Sequence, residues 1–364
     1  MYLFGIGKGS FDAVVELENL LEDRLKDGVV IDVRVGALKK VQPFAGTHPE
    51  PSEKNVAATE KIIQLLKESN EKSLVLFVIA GGGSALMTAP YKISVERKAE
   101  ISKALMEAEA DIRQLNVVRK HLSEIKGGRL AKLAYRAKIV SLIFSDVPGN
   151  DLSTIASGAT VLDQSTSEEA EKILKKRGVW DKLKLEGLEF SETPKEEKYF
   201  EKVSNIIMQD PASVVGAMAR KAGELGWKIK ILGTDLEGEA GELGLKLLNS
   251  AQAGEVLLAS GESSVEVAAA GVGGRNQHLV LANLKNIKEG QVIIAAASDG
   301  HDHSDSAGAV GDETSLKRAE DLGLNPDEFL ARADSFEFFQ RLGDSLETGL
   351  LESNVSDFYL VISP

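Results

Sequence analysis

The chain lacks several features that would restrict its function. Its 364 residues include no cysteine, which excludes disulfide bonds and thiolate-bound metals. No apolar run approaches the ~20 residues that cross a bilayer, and no basic leader with a cleavage site precedes the first apolar segment. We therefore expect a cytoplasmic protein.

Positive charge is also scarce. The 43 Lys and Arg residues are outnumbered by 56 Asp and Glu residues, which gives a net charge of −13. Such a charge disfavours nucleic acid or an anionic membrane as the main partner. A polyanionic small molecule would need a locally basic pocket, so its binding would depend on where the scattered Lys and Arg residues lie.

Length and patterning predict the architecture. A chain of this size typically forms two domains of ~100–200 residues each, and buried-strand patterns alternate here with glycine-rich turns and helical segments. We predict an α/β protein made of two α/β domains with largely parallel sheets. The domains are expected to span residues 1–205 and 206–364, although the first strand could pack discontinuously. Homodimer formation is left open.

The stretch LVLFVIAGGGSALMTAP, residues 74–90, carries the strongest signal. Its leading apolar residues, Leu74–Ile79, are typical of a strand buried on both faces. Successive glycines let the following backbone N–H groups converge on one anion, and a helix starting near Ala85 would add its N-terminal dipole. We predict a phosphate-binding turn, with a turn that binds no ligand as the alternative. The residues of this turn are Gly81, Gly82, Gly83 and Ser84.

An earlier glycine loop, GIGKGS at residues 5–10, follows the N-terminal strand. It superficially fits the dinucleotide-binding fingerprint. However, the strand predicted at Val29–Val35 ends in Gly36 and leaves Asp32 in mid-strand, away from the ribose-binding position. Lys8 within the loop is better explained as a phosphate contact, and a solvated lysine is the alternative.

Two further segments supply polar side chains. Within residues 115–130, Asn116 and Lys120 fall on a polar helical stripe beside an apolar one. We expect this stripe to face a ligand, and a solvated helix face is the alternative. Asp146 follows the strand predicted at Lys138–Phe144, at the sheet edge where open α/β proteins bind ligands. It is a candidate for a metal–phosphate contact or for accepting a hydroxyl proton.

The C-terminal half carries another glycine loop and an acidic segment. Residues 271–277 read GVGGRNQ, and Arg275 can offer a planar fork of donors to phosphate oxygens. A buried strand then leads into SDGHDHSDSAGA, residues 298–309, where three acids within seven residues suit a hard cation such as Mg²⁺. His301 and His303 could instead suggest a transition metal, but no further His or Cys pattern supports one.

Several well-known catalytic motifs are missing from the sequence. There is no P-loop, no serine nucleophile elbow, no H-E-x-x-H and no protein-kinase catalytic set. Glycine loops, scattered Lys and Arg residues, and Asp residues at strand ends match the needs of phosphoryl transfer, which are positioning, charge neutralisation and a metal.

Eight ordered motifs resemble those of the glycerate 2-kinases of the MOFRL type. They are GIGKGS, GTHPEPSEKN, VIAGGGSALMTAP, LNVVRKHLSEIKGGRLA, SDVPGNDLSTIASGATVLD, SGESSVEV, GVGGRNQHLVLA and ASDGHDHSDSAGA. The resemblance covers nearly the whole chain. It implies ATP- and Mg²⁺-dependent phosphorylation of D-glycerate, typically at the 2-hydroxyl, with an active site in the cleft between two α/β domains. In archaeal members this step feeds a non-phosphorylative Entner–Doudoroff route.

The resemblance also implies roles for individual residues. The family's loop lysine and GGRNQ arginine fall on Lys8 and Arg275, which would neutralise the transferring phosphoryl group. Asp146 would lie near the glycerate hydroxyl, and Glu262 and Asp299 would hold Mg²⁺ directly or through water. The residues that would cradle the nucleotide phosphates or the glycerate carboxylate are Gly81, Gly82, Gly83, Ser84, Asn116, Lys120, Gly274 and Asn276.

The chain departs from the family pattern in three places. SDVPGNDL stands where the family often has SDVxGDDP. The segment His301–His303 replaces a Gly-x-Asp-Gly motif. The chain also lacks the helical N-terminal extension of many bacterial members. Older names for some relatives make an NAD(P)H-dependent hydroxypyruvate reductase the main alternative. A non-catalytic sensor of phosphorylated metabolites is a third class.

Overall fold

A computed structural model describes residues 1–267, 271–351 and 355–364. The chain divides into two compact units, Met1–Met208 and Gln209–Pro364. Each unit contains a six-stranded sheet with helices packed on it, so the predicted α/β class with two domains is confirmed. No helix among the described residues is both long and apolar enough to cross a membrane.

The first sheet has the order β3-β2-β1-β4-β5-β6. The pairs β1–β2, β1–β4, β2–β3 and β4–β5 are parallel. Because β1 lies between β2 and β4, the first strand belongs to the N-terminal unit and does not pack discontinuously. The strands are β1 (Tyr2–Ile6), β2 (Asp27–Asp32), β3 (Val41–Ala45), β4 (Leu74–Ile79), β5 (Lys138–Phe144) and β6 (Val203–Gln209).

Helices cover both faces of this sheet. On β1, Phe4 packs in a core with Ile62 of the second helix, whereas Leu3 points to the other face and packs with Val14 of the first. The second helix begins with a capping box between Ser52 and Asn55, which satisfies backbone N–H groups in its first turn. The helices are α1 (Ser10–Leu21), α2 (Glu53–Lys67), α3 (Gly83–Leu86), α4 (Val95–Glu107), α5 (Ile112–His121), α6 (Arg129–Leu133), α7 (Ser167–Lys176) and α8 (Val179–Lys182).

The second sheet has the order β11-β10-β9-β12-β8-β7 and is mixed. Among the described strands only β7 and β8 pair in parallel, whereas β12 runs antiparallel to both β8 and β9, and β10 runs antiparallel to β9. The expected largely parallel arrangement therefore describes the first sheet and not the second. The strands are β7 (Lys228–Glu239), β8 (Glu255–Ser264), β9 (Val292–Ala297), β10 (Gly308–Asp312), β11 (Ser345–Leu346) and β12 (Asp357–Ser363).

Apolar side chains also line both faces of the second sheet. Leu257 packs in the larger core with Leu247 and Leu279, and its neighbour Leu258 packs on the other face with Val215. This alternation follows from the two-residue period of a strand. The helices are α9 (Pro211–Glu224), α10 (Ala240–Ser250), α11 (Arg275–Asn283), α12 (Ser315–Asp321), α13 (Pro326–Ala331) and α14 (Ser335–Leu342).

Candidate active site

Three predicted site segments follow three adjacent strands of the first sheet. Ile6 of β1 pairs in register with Ile79 of β4, and Ile79 pairs with Ile143 of β5. Since these strands are parallel, the loops that follow them leave the sheet at the same edge. The register therefore brings the Lys8 loop, the Gly81–Ser84 turn and the Asp146 loop to one place.

The first two of these loops are in direct backbone contact. Lys8 N donates a hydrogen bond of 2.8 Å to Gly81 O. Gly7 has a φ of +117°, and a Cβ at this position would lie 2.4 Å from Ala80 O. Only glycine allows such a close approach, so the two loops pack directly against each other through their backbones.

Asp32 does not lie in mid-strand, and that part of the sequence interpretation was wrong. It is the last residue of β2, where the dinucleotide-binding fingerprint places its ribose-binding acid. However, its carboxylate is buried and accepts hydrogen bonds from Phe11 N at 3.0 Å and Val33 N at 2.6 Å. Burial raises the pKa of Asp32, although these backbone N–H groups oppose the shift. Asp32 therefore holds the start of α1 in place, and its buried carboxylate is already engaged by backbone N–H groups.

The Gly81–Ser84 turn has the backbone expected of an anion cradle. Gly82 adopts the left-handed conformation with a φ of 73°. In the described part of the chain, the N–H groups of Gly82 and Ser84 donate to no backbone or side-chain acceptor. The helix that follows, α3, has only four residues, so its dipole is weaker than expected and the amides themselves are the main donors.

A polar chain links this turn to Asn116. Ser84 Oγ lies 3.0 Å from Ser157 Oγ, and Ser157 Oγ donates at 3.0 Å to Asn116 Oδ1. Ala156 and Ser157 both have positive φ values, 48° and 56°, in a conformation that costs L-residues free energy. The structure thus brings the predicted residues Ser84 and Asn116 together through Ser157, which the sequence did not single out.

Lys120 is committed to an internal ion pair. Its Nζ donates to Asp163 Oδ1 at 2.9 Å, and both side chains are almost fully buried. Asp163 also accepts hydrogen bonds from Ser165 and Thr193. Burial would raise the pKa of Asp163, but the hydrogen bonds from these two residues and from Lys120 lower it overall. The polar stripe of α5 therefore faces the protein interior at Lys120, where the structure favours a supporting role over a phosphate contact.

A cavity of about 250 Å³ lies beside the glycine turn. Gly82 and Ser84 line it together with the ring of His48, and a Cβ on Gly82 would lie 2.9 Å from that ring. Desolvation and the charge of Lys8 lower the pKa of His48, so this imidazole is neutral at pH 7. The cations that line the cavity are Lys98, Arg119 and Lys126.

These three cations were missed as site residues. The available signal was the position of Lys98 on α4, because it shares the buried stripe with Val95 and Ile101 at helical spacing. A lysine on an apolar stripe is rarely buried unless it has a partner or a function. Asp146, by contrast, was predicted, and it is partly exposed two residues beyond the end of β5.

In the C-terminal unit, Arg275 is held between two carboxylates. Its Nε donates to Asp357 Oδ2 at 2.5 Å, and its Nη2 donates to Glu262 Oε1 at 2.9 Å. Burial would lower the pKa of Arg275, but Asp357 and Glu262 raise it overall. Burial raises the pKa of Asp357 to about 6 against the opposing effect of Arg275. Asp357 was not predicted, since nothing in the sequence indicates that the start of β12 faces Arg275.

The glycine loop before α11 is closed by a buried acid. Asp302 accepts hydrogen bonds from Asn276 N at 3.2 Å and Gln277 N at 2.8 Å. A Cβ on Gly274 would lie 2.2 Å from Asp302 O, so glycine is needed for this close approach. Gly274 and Asn276 therefore shape the loop, and the first amides of α11 already have an acceptor within the chain.

The expected metal cluster does not form as the sequence suggested. Asp302 is buried against α11, whereas Asp305, His301 and His303 are exposed. Among the described residues, no group of three or more His, Cys, Asp or Glu side chains converges as a metal site. The Asp299 carboxylate accepts a hydrogen bond from His301 N at 3.0 Å, and Glu262 contacts Arg275. Any metal held here would rely on one or two carboxylates.

A second cavity, of about 580 Å³, lies in the C-terminal unit. It is lined by the end of β8, the described part of the glycine loop and Arg275, together with His278 and His303. Burial lowers the pKa of His278 even though nearby carboxylates oppose the shift. Glycine backbone and the imidazole ring of His278 are suited to a planar, uncharged ligand group.

The fold and these loops define a two-domain α/β protein with glycine-rich turns at the ends of parallel strands. Residues 1–189 match a domain of unknown function, DUF4147, and residues 255–357 match the MOFRL family. D-glycerate 2-kinase of Thermotoga maritima is 32% identical over 98% of this chain and 89% of its own length. Glycerate 2-kinase of Pyrococcus horikoshii is 34% identical over 100% of this chain and 87% of its own. The chain therefore belongs to the MOFRL glycerate 2-kinase family, and the resemblance seen in the sequence is confirmed.

Solved structures agree with this assignment. The crystal structure of glycerate kinase from Thermotoga maritima superposes with a TM-score of 0.90 at 30% identity, covering 100% of this chain and 91% of that one. One relative, from Agrobacterium vitis, carries a provisional hydroxypyruvate reductase name and is 34% identical over 98% of this chain and 86% of its own length.

Proposed function

We propose that this protein is a glycerate 2-kinase that transfers the γ-phosphoryl group of ATP to the 2-hydroxyl of D-glycerate. The observation that carries the proposal is the register of Ile6, Ile79 and Ile143, which gathers a lysine, an amide cradle and an aspartate at one sheet edge. Phosphoryl transfer needs cations and donors around the phosphate and an acceptor for the hydroxyl proton. The family relationship supplies glycerate as the substrate.

The site residues of the N-terminal unit would have two roles, binding phosphoryl oxygens and accepting the hydroxyl proton. The amides of Gly82 and Ser84 and the ammonium group of Lys8 would bind phosphoryl oxygens, because all three are donors at the same edge. Asp146 would accept the proton of the 2-hydroxyl. That oxygen then attacks the γ-phosphorus, the bond to the β–γ bridging oxygen breaks, and ADP leaves with the electron pair.

Arg275 would neutralise charge on the transferring group. Its guanidinium keeps a fixed orientation because two different nitrogen atoms are bonded to Asp357 and Glu262. Glu262 and Asp299 fit the donor chemistry of Mg²⁺, which binds proteins through one or two carboxylates and takes its remaining ligands from phosphates and water. When bound, the ion would supply charge neutralisation and orientation of the phosphate chain.

The reductase alternative is less well supported by the geometry. A nicotinamide dinucleotide bound at the first glycine loop would need the acid after β2 for its ribose. That acid, Asp32, is buried and bonded to backbone N–H groups. Lys8 within the same loop is also better suited to an anion than to a hydride carrier.

An activity assay with parallel arms tests the proposal. The purified protein is incubated with D-glycerate, ATP and Mg²⁺ while ADP release is followed, and separately with hydroxypyruvate and NADH while NADH absorbance is followed. We expect ADP release that depends on D-glycerate and no oxidation of NADH. Oxidation of NADH without ADP release would favour the reductase, and neither activity would favour a non-catalytic binder.

Two finer assignments stay predictions. They are the cytoplasmic location and service in a non-phosphorylative Entner–Doudoroff route, while homodimer formation stays an open alternative. Each follows from the resemblance or the composition and awaits its own measurement.

A further inference from the structure

The cavity beside the glycine turn concentrates positive charge in an acidic protein. Lys98, Arg119 and Lys126 line it, and no acidic residue is found among the described residues of its wall. The whole chain has a net charge of −13, so this local excess of cations is opposite to the overall charge. Three like charges around one small space repel one another, which favours a state in which an anion lies between them.

Lys98 is the most unusual of the three. Its side chain is only 6% exposed, and its Nζ has no hydrogen-bond partner among the described residues. Burying an ammonium group without a partner costs free energy, and a protein keeps such a group when a ligand supplies the partner. Burial, followed by the charges of Arg119 and Arg129, lowers the pKa of Lys98 to about 7.

Lys126 and Arg119 complete the arrangement. Lys126 is 1% exposed and donates one hydrogen bond of 2.7 Å to Ser84 O, which fixes its Nζ against the glycine turn. Burial and then the charges of Lys98 and Arg119 lower the pKa of Lys126 well below its usual value. Arg119 makes no ion pair with a described residue, and burial lowers its pKa as well. The three side chains thus act on one another and, within the part of the chain that the structure describes, form no ion pair with a carboxylate.

The size of the cavity limits the kind of anion. Its volume of about 250 Å³ is below the ~300–1,000 Å³ of pockets that hold whole drug-sized ligands. The cavity itself has room for one or two phosphate groups, and the sugar and base of a nucleotide would have to lie outside it. A single carboxylate carries too little charge to balance three cations, so the charge favours a phosphate group.

We propose that Lys98, Arg119 and Lys126 form a phosphate-binding subsite, open to a phosphate group of the nucleotide or of the phosphorylated product. Its part in catalysis rests on the proposed kinase function. Its affinity for phosphate does not, because binding can be measured without any acceptor.

Calorimetric titration of inorganic pyrophosphate into the full-length protein tests this subsite. Lys98→Met and Arg119→Met each remove one charge at similar side-chain length. We expect each substitution to raise the Kd for pyrophosphate by roughly 10- to 100-fold, the range typical of a charged hydrogen bond. The matched control is Lys103→Met, which removes an exposed lysine from the same helix and should leave the Kd unchanged.

Two further titrations distinguish the source of the phosphate. The same variants are titrated with 2-phospho-D-glycerate and with D-glycerate. If the variants bind both pyrophosphate and 2-phospho-D-glycerate more weakly, the site is shared. If only pyrophosphate binding weakens, the subsite serves the nucleotide, and if only 2-phospho-D-glycerate binding weakens, it serves the product. An effect confined to D-glycerate, or no effect on any ligand, would overturn the proposal. If phosphate binds through these residues while the kinase assay fails, the subsite stands and only the proposed function falls.

Thermal unfolding gives a second, independent readout. Lys98→Met removes an uncompensated buried charge, so the ligand-free variant should melt at a higher temperature than the wild type. A lysine kept for structural reasons would show the opposite shift. A lower melting temperature together with unchanged pyrophosphate binding would show that Lys98 is only a structural residue.

Discussion

Arg275 Nε donates a 2.5 Å hydrogen bond to Asp357 Oδ2, joining the start of α11 to the start of β12 across 82 residues of sequence. β12 lies between β8 and β9, so Asp357 is placed at the edge where those two strands end. A second bond from the same guanidinium reaches Glu262 on β8. Two separate nitrogen atoms are thus used at once, which a lysine could not reproduce with the same geometry.

Arg275→Lys should therefore behave as a loss of function. We expect kcat to fall by ~10³–10⁵, as in other enzymes where an arginine stabilises a transferring phosphoryl group, with little change in melting temperature. Arg341→Lys on the exposed face of α14 serves as the matched control. If Arg275→Lys kept more than a tenth of wild-type turnover, its assigned role would be wrong.

Lys8→Ala tests the first glycine loop. Removal of one positioned cation from a phosphoryl-transfer site should lower kcat by ~10²–10³, while circular dichroism and the melting temperature stay close to those of the wild type. Lys67→Ala at the exposed end of α2 should leave kcat unchanged. Turnover near the wild-type value in Lys8→Ala would refute the phosphate contact.

The buried pair of Lys120 and Asp163 makes a prediction about stability. Asp163→Asn leaves the Lys120 ammonium buried without a charged partner, so the free energy of unfolding should fall by ~3–5 kcal/mol. Adding Lys120→Met to this variant should recover much of the loss. Urea unfolding measures both effects, and Asp181→Asn on the surface is the control. An unchanged midpoint in Asp163→Asn would mean that the pair does not support the fold.

Anion binding at the phosphate-binding subsite should depend on pH. Burial and neighbouring cations lower the pKa of Lys98 to about 7 and that of Lys126 well below its usual value, whereas Arg119 stays charged. His48 also faces the cavity, and its lowered pKa keeps it neutral above pH 7. Raising the pH above 7 therefore removes positive charge, so affinity for sulfate, which does not titrate here, should fall between pH 6 and 8.5. Lys98→Met should flatten this profile, and a wild-type profile that is already flat would contradict it.

Much of the N-terminal unit was predictable because its strands are simple apolar runs. β4 and β5 occupy Leu74–Ile79 and Lys138–Phe144, the limits that the sequence indicated. A strand buried on both faces between a polar segment and a glycine turn has well-marked ends. The role of Asp32 was not predictable, since its position depends on where β2 ends and its partners come from α1.

Long-range pairing explains the other misses. The mixed second sheet arises because β12, the last strand, inserts between β8 and β9, and no local pattern records such an insertion. For the same reason Asp357 was not linked to Arg275, nor Asp302 to the first turn of α11. The pairing of Lys120 with Asp163, and the position of Lys98 in the cavity wall, depend on tertiary packing that helical periodicity alone does not determine.

Phosphorus NMR of the reaction mixture is the most direct test of the central claim. The claim is that the loops after β1, β4 and β5, which begin beyond Ile6, Ile79 and Ile143, form the site where glycerate is phosphorylated. The wild type, given D-glycerate, ATP and Mg²⁺, should convert the γ-phosphate signal into that of 2-phosphoglycerate, and Lys8→Ala should not do so at a comparable rate. Formation of 3-phosphoglycerate would correct the position of attack. A γ-phosphate signal that stays unchanged with the wild type, or equal conversion by Lys8→Ala, would contradict the account.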